Sequence, residues 1–93
     1  MNFTERVQQI VKTIPAGKLM TYGQVAKLAG NSKAARQVGW ILNKNYDPGI
    51  PCHRVISKQG LGGYNRGAQA KTTILKQEGI DLNNLADYLA QND

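Results

Sequence analysis

One cysteine and one histidine in 93 residues exclude an internal disulfide and leave too few soft ligands for a structural zinc site. No apolar run approaches the ~20 residues of a membrane span. Met1-Asn2-Phe3-Thr4-Glu5 lacks the basic-then-apolar character of a secretory leader. Repeats, low-complexity tracts and linkers are missing as well. These absences lead us to expect a single domain over residues 1–93, with no metal, no membrane association and a cytoplasmic location. With 41% hydrophobic and 19% charged residues, the composition excludes disorder and fits a globular domain.

Acidic residues are scarce too, six against twelve Lys and Arg, for a formal charge of +6. Their placement sharpens the imbalance. Residues 12–76 hold eleven cations and one acid, Asp47, whereas the two ends hold Arg6 against five acids. A basic middle on a small domain is the electrostatic footprint for a polyanion.

Phe3, Val7, Ile10, Val11 and Ile14 form one stripe of an amphipathic helix. Asn2 with Glu5 reads as its capping box, and Pro15-Ala16-Gly17 as its stop. Thr21 with Gln24 opens a second helix, Tyr22–Ala29, ending at Gly30. Asn31-Ser32 then turn the chain and cap a third helix, about Lys33–Lys44. Two helices around a short glycine-containing turn make a helix-turn-helix pattern. The third helix sorts Ala34, Ala35, Val38, Ile41 and Leu42 to a core face. Lys33, Arg36, Trp40, Asn43 and Lys44 lie opposite, a face suited to phosphate contact and to stacking on a base or sugar. Further on, Ile50–Ile56 reads as partly extended. Lys58-Gln59-Gly60 turns a small hairpin that returns through Leu61–Tyr64 as a wing. Helices over Ala68–Gln77 and Leu82–Ala90 complete the chain, the last with Leu82, Leu85, Ala86 and Leu89 on one face. The fold class expected is mainly α, a small helical bundle with a helix-turn-helix, winged-helix-like, carrying a short β-hairpin wing.

Cys52 is the one soft nucleophile, and it lies between Pro51 and His53. A thiol attacks as thiolate, so it needs a base or a positive neighbour, which His53 and Arg54 can supply. Adjacent strand residues face opposite ways, so His53 reaches Cys52 only through a backbone turn or a bridging water.

Pro51-Cys52-His53-Arg54-Val55 resembles the active-site signature of the O6-alkylguanine-DNA alkyltransferases, single-use DNA repair methyltransferases. Thr21-Tyr22-Gly23-Gln24-Val25-Ala26 and Ala34-Ala35-Arg36-Gln37-Val38-Gly39 resemble that family's helix-turn-helix. Asn45, Gly62, Tyr64, Lys71 and Glu78-Gly79 fall close to its spacing, so the resemblance spans about residues 4–80. It implies minor-groove binding to double-stranded DNA that contains O6-alkylguanine, flipping of the damaged nucleotide, and alkyl transfer without a cofactor. Cys52 would accept the alkyl group, His53 would act as its base through a water, and Glu78 would orient His53. Tyr22 would rotate the target phosphate and Arg36 would fill the vacated stack. Asn45 would buttress the site, and Tyr64 would hydrogen-bond the guanine. Gly62 and the backbone at Cys52 and Val55 would complete the guanine pocket. Lys71 receives no role from the resemblance. It also implies a monomer, nucleoid-associated in a bacterial cell. Family members usually carry a further N-terminal domain, and Trp40 stands where a small residue is common. The alkyltransferase-like proteins are of similar size but replace the cysteine and only bind damage, so a non-catalytic sensor is the alternative. A plain helix-turn-helix regulator is a third reading.

Overall fold

In the computed structural model, residues 1–58 and 60–85 are described. Helix α1 (Phe3–Lys12) opens on the capping box expected from Asn2 and Glu5. The Asn2 side chain accepts from Glu5 N at 2.8 Å, satisfying a donor that the first turn leaves unpaired. Helix α2 (Tyr22–Leu28) repeats the device, with Thr21 Oγ1 accepting from Gln24 N and Gln24 Oε1 accepting from Thr21 N, both at 3.1 Å.

Helix α3 (Ala35–Asn43) starts two residues later than the expected Lys33. Ser32 does not cap it, and Ala34 precedes it with no side-chain cap. The reason is local. Asn31 Oδ1 accepts from Lys33 N at 3.1 Å, so its oxygen is consumed in an Asx turn before the helix begins. The main core lies where α1, α2 and α3 meet, and it contains Val7, Val11, Val25, Ala26, Val38 and Leu42. Of the core face assigned to α3, Ala34, Val38 and Leu42 are buried, and Ala35 and Ile41 are half-buried.

The sheet is two residues wide on each side and parallel. Strand β1 (Met20–Thr21) pairs with β2 (Val55–Ile56) in the register Met20 to Val55 and Thr21 to Ile56. Strand β1 runs directly into α2, and β2 directly follows a 3-10 turn, Cys52–Arg54. This short pairing therefore sets Cys52 beside the start of the helix-turn-helix. Past β2, Ser57 and Gly60 exchange two backbone hydrogen bonds of 3.0 and 3.2 Å. The hairpin expected there amounts to that one antiparallel bridge. The carbonyls of Leu61 and Gly63, which a returning strand would use, are taken by side chains of Lys71 and Tyr22.

Helix α4 (Ala68–Gln77) occupies the expected range. Its Leu75 joins Leu19, Ile56 and Ile80 in a second core cluster, on which Leu61, Leu82 and Leu85 pack. Leu82–Asn84 form a 3-10 turn capped by Asp81. The rest of the expected last helix, with Ala86 and Leu89, lies outside the described residues. Among the described residues no helix is long and apolar enough to cross a membrane.

Candidate functional site

Cys52 is the first residue of the 3-10 turn and only 8% exposed. Loop 45–50 wraps its sulfur. Asp47 N donates to Asn45 Oδ1 at 3.3 Å, and Gly49 N donates to Asp47 Oδ1 at 2.8 Å, two Asx turns in succession. They aim Asn45 Nδ2 at Cys52 Sγ, 2.9 Å away. Asn65 clamps the loop from outside, donating to the carbonyls of Asn43 and Asn45 at 2.9 and 2.6 Å. Burial pushes the Cys52 thiol up, while the Asn45 donor and the charges of Arg66 and Lys71 pull it back toward the thiolate.

The 3-10 turn settles where the side chains after Cys52 point, because successive residues project about 120° apart. His53 Nε2 lies 2.9 Å from Glu78 Oε2, the partnership the resemblance implied. Arg54 does not serve Cys52 as a positive neighbour. It forks onto Glu78, Nε to Oε1 at 2.9 Å and Nη2 to Oε2 at 2.6 Å, and Nη1 donates to Ile14 O at 2.7 Å. Arg54 above all, with His53 assisting, holds the Glu78 carboxyl below the usual carboxylate range. Arg66 and Lys71, neither of them adjacent in sequence, are the cations that favour the Cys52 thiolate.

Lys71 is wholly buried, and Nζ donates to Val55 O at 2.8 Å, Leu61 O at 2.5 Å and Gly63 O at 3.1 Å. Burial lowers its pKa to about 8. It ties β2 to the returning loop. The signal in the sequence is its place four residues before Leu75, on the buried stripe of α4. Tyr22 lies across the same loop and donates to Gly63 O at 3.3 Å. Gly62 makes that approach possible. It sits at φ +71°, and a Cβ there would lie 3.0 Å from the Tyr22 ring and hydroxyl.

A cavity of about 490 Å³ lies between α3 and the Cys52 turn, lined by Tyr22, Arg36, Gly39, Trp40, Asn43, Cys52, Gly63 and Tyr64 among others. A smaller recess of about 90 Å³ lies against Asn45, Cys52, His53, Tyr64 and Arg66. Tyr64 stands at both and meets the His53 ring edge-on, centroids 6.4 Å apart. Val55 and Gly62 line neither: Val55 is wholly buried and Gly62 packs under Tyr22, so Gly63 takes the lining position. The carbonyls of Cys52 and Val55 each accept one protein hydrogen bond already, from Val55 N and Lys71 respectively, and keep a second lone pair. Arg36, Trp40 and Asn43 on the outer face of α3 are exposed, as the helical pattern predicts; Lys33, in the turn before the helix, and Lys44, at its C-cap, are exposed as well.

Residues 2–80 match the family described as the DNA-binding domain of 6-O-methylguanine DNA methyltransferase. A methylated-DNA–protein-cysteine methyltransferase of Methanocaldococcus jannaschii is 46% identical over 81 residues, covering 86% of this chain and 47% of that protein. The chain thus spans about half the length of the curated relatives it matches. Among solved structures, Mycobacterium tuberculosis OGT in complex with DNA superimposes with a TM-score of 0.79 at 38% identity, over 85% of this chain and 49% of that one. Schizosaccharomyces pombe Atl1, bound to damaged DNA containing O6-carboxymethylguanine, gives 0.76 at 32% identity, over 85% of this chain and 77% of that one. Mainly helical, with Cys52 and His53 on one turn and Glu78 bonded to that histidine from the end of α4, the chain belongs to the family of the 6-O-methylguanine DNA methyltransferase DNA-binding domain.

Proposed function

We propose that this chain repairs O6-alkylguanine in duplex DNA by moving the alkyl group onto Cys52, once per molecule and without a cofactor. The observation that carries this reading is the buried Cys52 sulfur on a cavity wall with an amide donor held on it. In the reaction the alkyl carbon–O6 bond breaks and a carbon–sulfur bond forms. The thiol proton passes through a water to His53, whose imidazolium Glu78 stabilises. Negative charge left on the guanine is met by the Tyr64 hydroxyl, and proton uptake restores guanine. A base inside a duplex is closed to this chemistry, so the nucleotide is flipped into the cavity at a cost of a few kcal/mol. Tyr22 turns its phosphate, Arg36 enters the vacated stack from the minor groove, and Lys33 and Lys44 hold phosphates. The protein works as a monomer, and a reduced thiol acting on chromosomal DNA suits the cytoplasm.

The match to Atl1, 77% covered by this chain, favours a second reading, a damage sensor that binds without transfer. Intact-mass spectrometry after incubation with methylated duplex separates the two. The expected result is one added methyl per protein, saturating at one equivalent, and none for C52S. Tight binding with unchanged mass would leave the sensor.

A further inference from the structure

Trp40 is the one tryptophan of the chain, and it is 66% exposed. An indole left in water on a small domain is a recognition element more readily than a packing one. It does not stand alone. Lys44, one turn further along α3, holds Nζ 4.8 Å from the ring centroid, covering one face with a cation. Arg36, one turn earlier, is exposed on the same side. Three surface depressions meet at Trp40: the cavity that reaches Cys52, one toward Lys33 and Gln37, and one toward Thr4 and Tyr46.

We propose that Trp40 is a base-stacking wedge, a second insertion point on DNA beside Arg36, with Lys44 both bracing the ring and neutralising the adjoining phosphate. The inference rests on the DNA-repair reading and adds a contact to it. Four residues along a helix advance about 6 Å, and stacked bases are 3.4 Å apart. Arg36 and Trp40 thus address positions one to two base steps apart. A narrow minor groove cannot receive an indole lying flat between its walls, whereas proteins that bind there insert apolar wedges between base steps. The basic surroundings exclude an acid-poor apolar partner and favour a polyanion that also offers flat faces. Stacking on a base meets both conditions.

Because Trp40 is the sole tryptophan, its fluorescence reports the contact directly. C52S, which binds without transfer, is titrated with a methylated duplex, and binding is followed separately by anisotropy of a labelled strand. Strong quenching of Trp40 in step with binding is expected. W40A should weaken binding about 5- to 100-fold, W40F should keep most of it, and W40L, apolar but not planar, should resemble W40A. Binding with unchanged emission, or equal affinity for W40A and its parent, overturns the wedge. Neither outcome bears on alkyl uptake by the wild-type protein from a free O6-alkylguanine base. Loss of uptake from free base by the wild-type protein would instead count against the repair reading itself.

Discussion

Asn45 Nδ2, 2.9 Å from the Cys52 sulfur, opposes the burial that pushes the thiol up. Removing that donor in N45A leaves burial with less to offset it, so the thiol pKa should rise. The pH–rate profile of iodoacetamide labelling should move to higher pH and labelling at neutral pH should slow; an unmoved profile would deny Asn45 any hold on the thiolate. Gly62 presents a steric case. At φ +71° an alanine costs about 1–2 kcal/mol, and its Cβ meets Tyr22 at 3.0 Å. G62A should therefore lose about 1–3 kcal/mol in urea unfolding, with Tyr22 displaced from Gly63. Legibility divides at this scale. Cys52, His53 and Glu78 are readable because each is a rare residue type or sits in a motif. The partnership of Arg54 with Glu78 is not, since it depends on the direction a 3-10 turn gives its side chain. For Lys71 the sequence shows only a place on the buried stripe of α4; the three carbonyls that its ammonium meets depend on how α4 packs.

Glu78 terminates α4 and joins three elements. It holds His53 and Arg54 of the turn before β2, and Arg54 in turn caps the end of the α1 segment at Ile14 O. A carboxylate at a helix C-terminus is disfavoured by the helix dipole, and Arg54 more than compensates. Its folded pKa lies below the unfolded value, so its contribution to stability is complete above about pH 4.3. That contribution fades as pH falls through the folded pKa, where protonated Glu78 resembles glutamine. E78Q should cost about 1.5–3 kcal/mol at pH 7, and the gap to wild type should close at acid pH. A gap that persists below pH ~3 would show that charge is not the cause. Helix boundaries set by capping boxes are legible, as at Asn2 and Thr21, because both partners lie within three residues. The start of α3 is not, because Asn31 had two possible uses and the turn took it.

Alkylation of Cys52, the proposed reaction, would act on the whole molecule through its core. Cys52 belongs to the cluster that joins α1, α2 and α3, and its sulfur has Asn45 at hydrogen-bond distance. A methyl group on that sulfur has room in the cavity but weakens the amide contact, a loss of about 1–3 kcal/mol. The methylated protein, freed of DNA, should melt about 4–8 °C lower for each kcal/mol lost. Superimposed melts before and after methylation would mean that the turn yields without strain. Helix content, the amphipathic faces and the sorting of Arg36 and Trp40 away from the core are properties of the amino-acid order, because they depend on neighbours within four residues. The parallel pairing of Met20–Thr21 with Val55–Ile56 depends on residues more than thirty positions apart, and no local pattern announces two strands of two residues. That pairing brings Cys52 to Tyr22, and the fold of α4 onto it brings Glu78 and Lys71. The chain thus carries its reactive groups in its sequence. Tertiary structure alone decides which charge each one faces, because burial and distance, not chain order, set electrostatic energies.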